Sequence, residues 1–181
     1  IRLQYCYPEE ITDELIETIK NEEKVCHYLD IPIQHASDAI LKRMGRRTSN
    51  KEIRELVAKI RREIPDIALR TTFISGFPGE TEEDHEILME FVDDMEFDRL
   101  GVFAYSPEED TPAYSFRDQV PDEVKEDRRA EIMELQQDIA FEKSESMKGN
   151  VLEVMIEGKV ADENAYVGRT YMDSPGVDGL I

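Results

Sequence analysis

Tryptophan is absent from the 181-residue chain, and cysteine occurs only at Cys6 and Cys26. Two cysteines so far apart make none of the paired spacings of a zinc site and are too few for a disulfide scaffold. No apolar run approaches the roughly 18 residues a membrane span needs, and nothing resembles a secretory leader. Positive charge is scarce: 22 Lys and Arg stand against 42 Asp and Glu, a formal net charge of −20. Nucleic-acid affinity comes largely from cations that neutralise phosphates, so a field of this sign opposes it and favours a basic protein partner. An acidic surface that serves solubility is the alternative. What is present, 40% apolar and 35% charged residues, suits a globular protein, with a reducing cytoplasm as the default compartment. The opening Ile1-Arg2-Leu3, strand-like and without Met, is expected of a segment of a longer protein.

Strand and helix patterns alternate through residues 1–105, giving four β-α steps. Residues 2–7 read as a strand closed by Pro8, followed by a helix capped by Thr12 with Leu15, Ile16 and Ile19 on its apolar face. A second strand is predicted over 25–33, and a short helix runs from Ser37 to Gly45. Ser49-Asn50-Lys51-Glu52 is a capping box that opens a helix with Ile53, Leu56, Val57, Ile60 and Ile64 on one side, stopped by Pro65. A third strand, 67–75, passes through a Gly-Pro-Gly turn into a helix capped by Thr81 that buries Ile87, Leu88, Phe91, Val92 and Met95. A fourth, 99–105, precedes a turn-rich segment, 106–117. Helical crossovers make the strands parallel and leave an open sheet or a barrel. From Pro121 to Met147 a charged helix carries the stripe Val124, Ile132, Leu135 and Ile139; residues 151–157 and 164–172 then alternate as antiparallel strands of an incomplete small β domain. Three parts follow: 1–117, 118–147 and 148–181.

Alternation assigns the faces. Leu69, Thr71 and Phe73 oppose Arg70, Thr72 and Ile74; Leu29, Ile31 and Ile33 oppose Tyr28, Asp30, Pro32 and Gln34; Leu3 and Tyr5 oppose Arg2, Gln4 and Cys6. Arg2, Asp30 and Arg70 would be costly against a dry core, so they line a hydrated or ligand-filled lumen, which favours a barrel; buried, paired charges of purely structural use are the alternative. Ligands of α/β folds bind at the C-terminal edge of the strands, where Gly76-Phe77-Pro78-Gly79-Glu80 sits. That turn is neither a Walker loop nor a dinucleotide fingerprint. Its glycines would let a flat ring approach the backbone, or simply make an ordinary β-α turn. His35 shares the rim and is either a proton-transfer candidate or a plain rim residue. Cys6 and Cys26 are expected to be buried and unactivated. No carboxylate pair stands out, so no catalytic residue and no metal ligand is assigned.

Four ordered blocks span nearly the whole chain: Tyr28-Leu29-Asp30-Ile31-Pro32-Ile33-Gln34-His35-Ala36-Ser37; Met44-Gly45-Arg46; Arg70-Thr71-Thr72-Phe73-Ile74-Ser75-Gly76-Phe77-Pro78-Gly79-Glu80-Thr81; and Phe103-Ala104-Tyr105-Ser106-Pro107-Glu108-Glu109-Asp110-Thr111-Pro112-Ala113. Together they resemble the radical SAM methylthiotransferases. The Pro-Ile-Gln-His-Ala-Ser form is similar to the RimO branch, which modifies an aspartate of ribosomal protein S-twelve; the tRNA-modifying branch usually has Gln-Ser-Gly-Ser there. The resemblance implies an α/β fold, the last four steps of a partial (β/α)6 radical SAM barrel, then a helical connector and the start of a TRAM domain. It implies S-adenosylmethionine as cofactor and two 4Fe–4S clusters in the full-length protein. One, held by Cys-x-x-x-Cys-x-x-Cys, reduces S-adenosylmethionine to methionine and a 5′-deoxyadenosyl radical. The other, on an N-terminal domain, takes part in sulfur insertion, and a second S-adenosylmethionine supplies the methyl group. Those cysteine motifs do not occur here, so the ligands are expected outside this chain.

Thr72-x-Ile74-x-Gly76-x-x-Gly79 is similar to the family's adenine-side motif, with Thr72 where glycine is common and Gly79 where an acidic residue often stands. The cofactor-binding candidates are accordingly Gln34, Arg70, Thr72, Ile74, Gly76, Gly79 and Tyr105. Gln34 and Arg70 fall toward the ribose or methionine end, where Arg70 could fork onto a carboxylate, and Tyr105 closes the site. The implied partners are a basic ribosomal protein of the small subunit and an electron donor. A TRAM domain generally suggests RNA, but Lys148, Lys159 and Arg169 are few against Glu153, Glu157, Asp162, Glu163 and Asp173, so nucleic acid is less expected. The alternatives are the tRNA methylthiotransferase branch and a non-catalytic acidic binding module.

Overall fold

The computed structural model describes residues 1–178; the last part of the expected β domain, 179–181, lies outside the described residues. Helix α1 (Asp13–Asn21) precedes strand β1 (Tyr28–Gln34). Helices α2 (Asp38–Arg43) and α3 (Asn50–Glu63) lead to β2 (Ala68–Ser75), and α4 (Glu82–Met95) leads to β3 (Arg99–Ala104). The strands pair in parallel in the order β1-β2-β3, so that Asp30, Arg70 and Arg99 lie abreast. Helix α5 (Asp122–Ser146) packs on β2, β3 and α4, and β4 (Met155–Lys159) with β5 (Tyr166–Arg169) forms a separate antiparallel hairpin.

Side-chain alternation in β2 is as the sequence implies: Leu69, Thr71 and Phe73 are buried, while Arg70, Thr72 and Ile74 are half-buried on the other side. The buried side builds the core, where Phe73 meets Phe91 and Phe97 edge-on at 6.2 and 6.3 Å between ring centroids. Local chemistry starts the helices. The Thr12 hydroxyl accepts from the Leu15 N–H at 3.2 Å, and both Ser49 with Glu52 and Thr81 with Asp84 form reciprocal capping boxes. Ser49→Ala is expected to destabilise by about 1 kcal/mol, a fall of roughly 2–4 °C in thermal midpoint for a chain of this size. Thermal unfolding monitored by circular dichroism measures it.

Several elements differ from the sequence reading. Residues 2–7 form no strand: Leu3 makes one isolated parallel bridge to Leu29, and the Cys6 N–H donates to the Asp30 carbonyl at 2.8 Å. Between them Tyr5 adopts φ 59°, a left-handed turn that breaks the extended run. The expected strand 164–172 shortens to β5 because Asp173 accepts from the Thr170 N–H at 2.9 Å and its hydroxyl at 2.8 Å, curling the chain into a turn. Strand β4 likewise starts at Met155 rather than near 151. In α4, Ile87 and Met95 are half-buried instead of buried. Along α5 the buried line is Lys125, Arg128, Ile132, Gln136 and Ile139, with Val124 and Leu135 half-buried. Arg128 and Gln136 hold interior positions there because they bond to Glu80 and to the Phe97 carbonyl beneath the helix, while Lys125 turns its ammonium to Asp122 on the same helix. Cys6 and Cys26 are free and half-buried. Among the described residues, no helix is long and apolar enough to cross a membrane.

Candidate functional site

The polar side of the sheet faces a cavity of about 740 Å³, walled by Asp30, Pro32 and Gln34 of β1, Arg70 and Thr72 of β2, and Phe103 of β3. Its upper part lies toward the C-terminal ends of the strands. There the register of β1 against β2 slips between Ile31 and Gln34, and Gln34 adopts φ 78°. A non-glycine residue held left-handed is uncommon and clusters at functional sites. Arg46 completes this part of the wall, following Gly45, which ends the α2 region at φ 76°. Its guanidinium carbon stands 4.9 Å from the Tyr7 ring centroid, a cation–π contact, and among the described residues its N–H groups make no hydrogen bond.

Arg70 lies lower and is already engaged: Nη1 donates to Asp178 at 2.5 Å, and Nε is 3.6 Å from Asp30. Burial pushes the Asp30 carboxyl up; Arg70 opposes this and the charge of Asp178 adds to it. The tail beyond β5 closes this end. Arg2 Nη1 donates to the Tyr171 carbonyl at 2.6 Å, Gln4 to the Ser174 hydroxyl at 2.7 Å, and Arg99 to Asp173 at 2.5 Å. Ser174, Pro175 and Val177 are part of the cavity wall.

The structure thus brings Gln34, Arg70 and Thr72 together and adds Arg46, which sequence reasoning left out although its Met-Gly-Arg block had been singled out. Ile74 is half-buried farther along the same side of β2. Gly76, Gly79 and Tyr105 belong to a different layer, outside the residues that line the cavity. A Cβ on Gly76 would stand 2.2 Å from Lys125 Cγ, and one on Gly79 would stand 2.7 Å from Asp118 Oδ2 and 2.8 Å from Arg43 Cζ. Tyr105 meets Phe77 edge-on at 5.2 Å, with Lys125 Nζ 5.5 Å from its ring centre. The glycines serve close packing against α5 and the 106–120 segment.

His35 is fully buried, so it is no rim residue. It contacts Glu80, whose side chain is sealed from solvent and binds the Gly76 and Phe77 amides and Arg128. Neither Glu80 nor Arg128 was a sequence candidate. An acidic residue near a helix start and a basic one in a charged helix carry no pattern of their own.

Residues 1–92 match the family profile described as the Radical SAM superfamily, and residues 149–181 match the TRAM domain. The chain belongs to the radical SAM superfamily. Over all its residues this radical SAM chain is 66% identical to a protein of Lachnoclostridium phytofermentans named ribosomal protein uS12 methylthiotransferase RimO. Identity is 51% to the protein of that name from Alkaliphilus oremlandii and 52% to that from Geobacter sulfurreducens. The chain spans about 41% of the length of each of these relatives. Among solved structures it resembles coproporphyrinogen III oxidase (HemN) of Escherichia coli, itself a radical SAM enzyme, with a TM-score of 0.57 at 22% identity over 80% of this chain and 32% of that one. At that identity the likeness shows the fold alone.

Radical SAM membership implies S-adenosylmethionine and an iron–sulfur cluster. The cavity fits the first: Arg46 suits a carboxylate, Gln34 and Thr72 suit ribose hydroxyls, and Pro32 and Phe103 offer apolar surface. Cluster binding needs converging thiolates. Among the described residues no three metal-ligating side chains converge, so the residues present do not make a cluster site.

Proposed function

We propose that this chain is the barrel and TRAM portion of a methylthiotransferase that adds a methylthio group to an aspartyl residue of a small-subunit ribosomal protein. The observation that carries this reading is the 66% identity, without loss of coverage, to a protein named as a uS12 methylthiotransferase. The lumen and its polar wall are consistent with it. When bound, S-adenosylmethionine supplies the one-electron chemistry and, from a second molecule, the methyl group. Ligands for two 4Fe–4S clusters, and the docking site of the electron donor, are assigned to parts of the protein outside this chain.

Within the chain, Gln34 and Thr72 orient the ribose, Ile74 and Phe103 pack against the adenine side, and Arg46 holds the methionine carboxylate. Arg46 takes that role because Arg70 is occupied by Asp178. Arg70 then holds the tail in place and keeps water from entering below. Gly76, Gly79 and Tyr105 fix the shape of the rim without touching the cofactor's polar groups. The net charge of −20 steers a basic ribosomal protein toward the enzyme and disfavours RNA, and a ribosomal target places the reaction in the cytoplasm.

The test uses the full-length, cluster-loaded enzyme. Arg46→Ala is expected to weaken S-adenosylmethionine binding by about 10- to 100-fold, the range for losing a hydrogen bond to a charged group, and Arg70→Ala by much less. Calorimetry under anaerobic conditions measures both. With reductant, S-adenosylmethionine and uS12, mass spectrometry should locate a methylthio group on one aspartate; an unmodified target, or modification of tRNA instead, refutes the reading.

A further inference from the structure

Gln34 holds its place in the cavity with a left-handed backbone, φ 78°, a conformation strained for a non-glycine residue. Such a conformation persists only where both neighbours are fixed. Ile33 is fixed in the core, 2% exposed. His35 is fixed by a hydrogen bond at Nδ1 and by burial, with Nε2 in contact with Glu80 but outside hydrogen-bond geometry. Its Nδ1 accepts from the Ser37 N–H at 2.9 Å, which leaves the proton of the neutral ring on Nε2, 3.3 Å from Glu80 Oε2.

Glu80 is the hub of these contacts. Oε2 accepts from the Gly76 N–H at 2.7 Å and the Phe77 N–H at 3.2 Å, and Oε1 accepts from Arg128 Nη1 at 2.9 Å. One buried carboxylate therefore joins the loop after β1, the turn after β2 and α5. We infer that Glu80 is a positioning residue for Gln34, holding it through His35 in the conformation that aims its amide into the cavity. This rests on the reading of Gln34 as a cofactor contact. Glu80 itself reaches neither the cavity nor the cofactor, so its effect on binding must pass through Gln34.

A double-mutant cycle on S-adenosylmethionine affinity, measured by calorimetry on the full-length cluster-loaded enzyme, isolates that route. Gln34→Ala is expected to weaken binding about fivefold or more, and Glu80→Gln about threefold or more. In the Gln34→Ala background the Glu80→Gln effect should shrink below about twofold. An unchanged affinity in Glu80→Gln, or a full additive loss in the double variant, overturns the inference and leaves the cofactor reading standing. An unchanged affinity in Gln34→Ala overturns both.

Should Glu80→Gln fail to fold, the His35 pair makes the same distinction. His35→Leu removes the donor toward Glu80 and should weaken binding about threefold or more, whereas His35→Gln restores a donor and should stay within about twofold of the parent. Equal losses in the two, or none in either, overturn the relay.

Discussion

Gly76→Ala is expected to destabilise the protein by about 3 kcal/mol, combining about 1–2 kcal/mol for a left-handed non-glycine residue with the cost of overpacking. Gly76 has φ 72°, and an added Cβ would lie 2.2 Å from Lys125 Cγ, 2.9 Å from its Cβ and 3.2 Å from its Cα. These atoms are at the root of the side chain, so a rotamer change does not clear them and α5 itself must withdraw. Withdrawal would also break the 2.9 Å hydrogen bond from the Ser75 hydroxyl to the Lys125 carbonyl. For a chain of this size the loss corresponds to a fall of roughly 10 °C in thermal midpoint. Gly45→Ala is the internal control: Gly45 has nearly the same φ, 76°, but nothing within 4 Å of the added Cβ, so it carries only the strain. Equal midpoints for the two variants would show that α5 does not press on the turn.

The same turn shows what a one-dimensional pattern can and cannot carry. Thr12, Ser49 and Thr81 announce their helices because a cap acts within four residues, and the faces of β2 follow from a period of two. Tyr5 gives no such notice: nothing in Gln4-Tyr5-Cys6 signals a left-handed residue, so the strand expected over residues 2–7 reduces to one bridge. Gly76 reads equally well as an open lip or a packing contact, and only the arrival of Lys125 from a distant helix decides between them. Arg70 and Arg46 are alike as letters, yet Asp178 reaches Arg70 from the far end of the chain, while Arg46 has no carboxylate partner among the described residues. Arg128 breaks the rule that charged helix positions face solvent, because its partner Glu80 comes from the turn region, which no periodicity of α5 encodes.

Arg128→Leu is expected to cost about 3–5 kcal/mol, the range for leaving a buried charge without its partner. The Glu80 side chain is fully buried, and Arg128 is the only Lys or Arg paired with it among the described residues. In the parent, burial alone would push the Glu80 carboxyl up. The proximity of His35, the charge of Arg128 and the Gly76 amide outweigh burial and hold it below the usual carboxylate range. A carboxyl lowered in the folded state stabilises fully above its unfolded value, about 4.3, and loses that contribution as pH falls through the folded value. Removing Arg128 tips the balance toward burial, so the folded value should rise above the unfolded one and reverse the dependence. Arg128→Leu should then be most stable in acid, where Glu80 is neutral, and lose stability as pH rises through the raised value. Thermal midpoints of parent and variant at about pH 5 and about pH 8 read the sign directly. Adding Glu80→Gln, which removes the orphaned charge, should restore part of the loss at the higher pH and flatten the slope. A variant whose midpoint deficit is the same at both pH values would show that Glu80 stays ionised without its partner, and the buried ion pair could not then be what ties α5 to the turn.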